Sequence, residues 1–134
     1  MNISKQVIIL SAERDGDTIE NRDLAIRTLR NCLNDCNLSF REATGVFENG
    51  PEETSFVVVV NNEAEIQSVK EFAFLNFGQD AILFQDSNQE AYLINKDGTE
   101  KRLGRLEQVP KEVALGNGSY TLMGNDYYTT IPRT

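Results

Sequence analysis

Val7-Ile-Ile-Leu10 is a short run without a polar residue, closed by the small residues Ser11 and Ala12, which is the pattern of a strand buried on both faces. A second run, Ser55 to Val60, holds four consecutive valines after Phe56. Side chains branched at Cβ crowd a helix and suit a pleated surface, so this segment is expected as a second central strand beside the first. Between them, Ala25, Ile26, Leu29, Cys32, Leu33 and Cys36 recur at helical spacing, predicting a helix over Thr18 to Asp35. Its start is signalled by Asp17 with Glu20, or by Thr18 with Asn21. Phe40 to Glu48 reads as a strand, ended by the turn Glu48-Asn-Gly-Pro51.

After the valines, Asn61 or Asn62 caps a second helix with Ile66, Val69, Ala73 and Phe77 on one face and Gly78 at its end. Phe72, Phe74 and Phe77 are assigned to the core. Ala81 to Phe84 and Ala91 to Ile94 form a hairpin across Asp86-Ser-Asn-Gln89. Further on, Leu103 and Leu106 stand in a polar stretch, Pro110 opens a short helical turn, and Tyr120 to Met123 faces Tyr127 to Ile131 across Gly124-Asn125. The order strand, helix, strand, strand, helix, strand predicts an α+β domain of the ferredoxin-like, split βαβ plan. Two helices would cover one face of an antiparallel sheet of order 4-1-3-2, with the hairpin strand beside strand 4. One domain spans 1–134, its core at 5–95 and a C-terminal extension at 96–134.

That layout brings scattered polar residues together. Strand 1 ends at Ser11, so Glu13, Arg14, Asn21 and Arg22 fall at one end of the sheet. The turn before strand 3 delivers Glu53 and Ser55 there, and the second helix delivers Gln79. Arg22 precedes Ala25 and Ile26 by three and four residues, so its stem is core-facing while its head can turn to the strand ends. Two readings follow. Arg22 pairs with Glu53 or Glu13 in a stabilising network, or these residues bind an anionic or amide-bearing ligand or a partner.

Composition narrows the chemistry. The chain has 134 residues and no histidine, so imidazole bases and triads are excluded, and any catalysis falls to carboxylates, lysine, tyrosine or a borrowed cofactor. The net charge of −8 opposes phosphate backbones and anionic lipid, and direct nucleic-acid binding is not expected. Residues 1–67 carry 6 basic and 12 acidic side chains, so the acidity lies mostly in the first half. No apolar run reaches the roughly 18 residues of a membrane span, and the segment from Met1 has no signal-peptide pattern, so a cytoplasmic protein is expected. Cys32 and Cys36 read as reduced core residues, and neither a metal site nor a cofactor is expected. Gly45-Val-Phe-Glu-Asn-Gly50 lacks the lysine of a phosphate loop.

Ser11-Ala-Glu-Arg14, Asn21-Arg22, Glu53-x-Ser55-Phe56 and Phe77-Gly-Gln79-Asp-Ala81 together resemble a family of small uncharacterised bacteriophage and bacterial proteins over residues 7–105. The resemblance implies a non-enzymatic phage-type accessory protein that binds and modulates a host protein, such as a counter-defence inhibitor. The alternatives are a domain that binds or sequesters a small anionic or nucleotide-like ligand, or a carboxylate-dependent enzyme.

Overall fold

The computed structural model describes residues 5–14 and 16–132; the Met1 start lies outside them. The strands are Val7–Ser11 (β1), Ser39–Val46 (β2), Glu53–Val59 (β3), Ala81–Gln85 (β4), Ala91–Asn95 (β5), Glu100–Val109 (β6), Tyr120–Met123 (β7) and Asp126–Ile131 (β8). The helices are Ile19–Asp35 (α1), Glu63–Glu71 (α2) and Lys111–Asn117 (α3).

Neighbour by neighbour the strands run β1-β3-β2-β7-β8-β6-β5-β4 and close on themselves, every pair antiparallel. The order 4-1-3-2 is therefore present, with β5 beside β4 as expected, but the open ferredoxin-like sheet is not. The protein is a closed eight-stranded barrel, and residues 96–134, expected as an extension, supply three of its staves. Closure works through β6, whose first half pairs with β5 (Ile94 opposite Glu100) and whose second half pairs with β8 (Val109 opposite Tyr127). β7 then joins β2, with Thr44 opposite Leu122 and Val46 opposite Tyr120. A bulge interrupts the β5–β6 register where Ala91 meets Gly104 and Tyr92 meets Arg102, and bulges bend a strand as closure requires.

Two apolar clusters explain why β1 and β3 are apolar throughout. Ile8, Leu10, Phe56 and Val58 face outward under Leu29 and Leu33 of α1 and Ile66 and Val69 of α2. Val7, Ile9 and Val57 face inward and meet Leu106, Met123 and Tyr128 from the far side of the barrel. Alternation along each strand serves two cores at once. Cys32 is only partly buried and Cys36 is exposed, both with free thiols, so Cys36 is not the core residue its spacing suggests. It caps the helix C-terminus, where the surface begins.

Thr18 is the N-cap of α1, accepting from the Asn21 amide, and Asn62 caps α2 by accepting from the Glu65 amide. At its far end α2 widens into a π-helical turn, Phe72–Asn76, in which the Phe77 amide donates to the Phe72 carbonyl at 3.0 Å. That turn rotates the chain so that Phe77 is buried while Gly78 and Gln79 arrive beside the end of β1. π-Turns of this kind are frequent at functional sites.

Candidate functional site

The end of the barrel where β1 finishes collects the loop into α1, the β2–β3 turn and the segment joining α2 to β4. Ser11 is buried and its hydroxyl is used twice: it donates to the Thr54 carbonyl at 3.0 Å and accepts from the Glu13 amide at 3.0 Å. The Glu13 carboxylate accepts from the Thr54 amide. The Gln79 side-chain amide donates to the Glu13 carbonyl at 2.9 Å, and the Gln79 backbone amide to the Ala73 carbonyl at 2.9 Å. Glu13 is thus held on both sides, with its carboxylate oriented by β3 and its backbone by the residue after the π-turn.

Gly78 has φ +60, and a Cβ there would lie 3.1 Å from Arg14 Cζ. The positive φ favours glycine here, and the Arg14 guanidinium lies close against the backbone. Ser55 is buried opposite Ser11 across β1 and β3. It fills the space against Gly45, where a Cβ would come within 3.5 Å of the serine Cβ.

Of the residues the sequence singled out, Ser11, Glu13, Arg14, Ser55 and Gln79 are therefore brought together by contacts. Glu53 begins β3 at the same end. Asn21 is exposed on α1, and its contribution here is the backbone donor to Thr18 Oγ1 at 3.2 Å. Arg22 is partly buried, and its Nε is fully buried without a hydrogen-bond partner among the described residues. The expected arginine-centred network is therefore not closed at that atom. Thr54 escaped notice in the sequence although both its backbone groups anchor the cluster. Its signal was position alone, between Glu53 and Ser55 at the start of a strand.

Thr54 also borders a shallow groove of about 300 Å³ with Glu42, Ala43, Thr44, Leu122 and Gly124. A larger depression of about 690 Å³ lies elsewhere, along Lys101 to Gly104, Asn117, Thr130 and Pro132. No group of three or more metal-ligating side chains forms among the described residues, and no helix among them is long and apolar enough to cross a membrane. Burial raises the Cys32 thiol above its ordinary pKa, assisted by the nearby Asp35 and Cys36, so it is a poor nucleophile at neutral pH.

The family model described as the S-adenosylmethionine lyase family matches residues 8–131. The chain belongs to this family. The match takes in the barrel strands from Ile8 to Ile131, including the three that follow residue 96. A search of curated proteins finds no match. Membership in the S-adenosylmethionine lyase family overturns the expectation of a non-enzymatic host-protein modulator from an uncharacterised family, because the family is defined by an enzymatic activity. The small-ligand and carboxylate-dependent enzyme alternatives fit it better. The family suggests a small-molecule substrate.

Proposed function

We propose that this chain cleaves S-adenosylmethionine at a carbon–sulfur bond, using the barrel end around Glu13. The observation that carries the reading is the family match over almost the whole barrel, and the chemistry of the site is compatible with it. A lyase breaks the bond without water as reactant. The electron pair stays on sulfur, which leaves as a neutral thioether, and the carbon is satisfied from within the substrate by attack of its own carboxylate oxygen, or by loss of a neighbouring proton to a carboxylate such as Glu13.

Such a leaving group needs no general acid. A site without histidine is therefore no handicap, and the demand on the protein is to hold the sulfonium and exclude competing geometries. A carboxylate fixed in place meets a cation better than one that must be ordered on binding. Glu13, oriented by the Thr54 amide and the Gln79 side chain, has that character, and Glu53 lies next to Thr54 in the chain.

The test is to incubate the purified protein with S-adenosylmethionine and follow, by chromatography, loss of substrate and appearance of a thioether nucleoside. Wild type is expected to convert it. Glu13→Gln should lower kcat/KM by at least about tenfold with the fold retained, as loss of a charged contact to the sulfonium implies. Absence of conversion by folded wild type would remove the reading.

A further inference from the structure

Arg22 stands in the first turn of α1, where its amide donates to the Thr18 carbonyl at 3.0 Å. Ala25 and Ile26, three and four residues later, pack against the outer core, so Arg22 lies on the same stripe one turn nearer the barrel end. Helical side chains lean toward the helix N-terminus. The guanidinium is thereby directed toward the end that carries Ser11, Glu13 and Gln79.

Its Nε is fully buried and has no hydrogen-bond partner among the described residues. Two other arginines of the chain behave differently. Arg30 donates from Nε and Nη2 to Glu42 at 3.1 and 2.7 Å, and Arg102 donates from Nε to Glu90 at 3.0 Å. A cationic donor removed from water and left without an acceptor is unfavourable, and folded proteins rarely retain one without a role.

We infer that Arg22 Nε receives one oxygen of the substrate's α-carboxylate. The inference rests on the lyase reading and deepens it. S-adenosylmethionine carries a single carboxylate at the end of its methionine arm, and a guanidinium is the natural acceptor-seeking partner for it. Glu13 at the same end suits the sulfonium. The two side chains then read the carboxylate and the sulfonium of one arm and fix its direction. One N–H engages one oxygen, which leaves the second oxygen unencumbered.

The test uses the full chain and two uncleaved thioether ligands that differ only in the carboxylate, S-adenosylhomocysteine and its decarboxylated analogue, with affinities measured by calorimetry. Wild type should prefer the carboxylate form by about 10- to 100-fold, the range for a hydrogen bond between charged partners. Arg22→Met should abolish the preference while its affinity for the decarboxylated ligand stays near wild type. Arg22→Lys keeps the charge but not Nε and should retain part of the preference. It also decides the matter if the methionine variant does not fold. Persistence of the full preference in either folded variant would overturn the assignment, as would equal binding of the two ligands by wild type. If wild type still cleaves S-adenosylmethionine in that case, only the Arg22 assignment falls. Failure to cleave and to bind either ligand would remove the lyase reading and the assignment together.

Discussion

Replacing Gly104 by alanine tests the closure of the barrel. Gly104 sits in the β6 bulge at φ +101, and an added Cβ would lie 2.7 Å from Pro132 Cα and 2.8 Å from the Ile131 carbonyl carbon. Both neighbours are backbone atoms, so no side-chain rotation relieves the contact. Holding a non-glycine residue at such a φ costs about 1–3 kcal/mol. Moving β8 away from β6 weakens the pairing at Arg105 and Ile131, and each ladder hydrogen bond lost there costs about 0.5–1.5 kcal/mol. With two such bonds lost, these give about 2–6 kcal/mol, a large share of the roughly 5–15 kcal/mol that holds a domain together. The melting temperature should fall by roughly 10–20 °C. Gly98 supplies the control, because its φ is +91 but nothing lies within 4 Å of an added Cβ, so Gly98→Ala carries the backbone strain alone. Chemical denaturation of both variants separates the terms. Equal losses for the two, within about 0.5 kcal/mol, would refute the close approach of β6 and β8 and the closure built on it.

Two further outcomes are expected. Gln79→Ala removes the donor to the Glu13 carbonyl and should cost about 1–2 kcal/mol in urea unfolding while lowering S-adenosylmethionine cleavage, since Glu13 loses one of its supports; unchanged stability would show that this amide supports nothing. Iodoacetamide at pH 8 should modify Cys36 before Cys32, because Cys36 is exposed while Cys32 is partly buried with its thiol pKa raised by that burial. A raised pKa leaves less thiolate at any pH below it, and peptide mapping that found Cys32 modified first would contradict both assignments.

The central half of the fold was legible because its residues are constrained on two sides. Val7 to Leu10 and Phe56 to Val59 serve both cores, and segments buried on both faces leave no doubt about strand or position. α1 was equally plain from its apolar stripe and the Thr18 cap. The barrel was not legible, because β6 reads Glu-Lys-Arg-Leu-Gly-Arg-Leu-Glu-Gln-Val. Its inward contribution to the inner core is Leu106, with Leu103 packed against it, and its outward side is solvated. A strand so polar announces neither its length nor its two partners, and its register depends on a bulge that no alternation pattern reveals.

The polar end was legible as a place, because strand direction alone carries Ser11, Glu53 and Gln79 there. Its wiring was not. The contacts run through backbone groups of Thr54 and Glu13, which every residue possesses and which composition cannot distinguish. Arg22 shows the same limit from the other side, since helical spacing placed its stem and only the structure exposed the unmatched Nε.

Closure also fixes an order of events during synthesis. The first five strands leave the ribosome as a sheet with β2 and β5 at its margins, each paired on one side only until β7 and β6 emerge. Until then the nascent chain presents two unpaired margins, the situation in which chains join edge to edge or are captured by chaperones. A release of synthesis before β6 and β7 are complete would strand the protein in that state, so such truncated products should aggregate where the finished barrel does not.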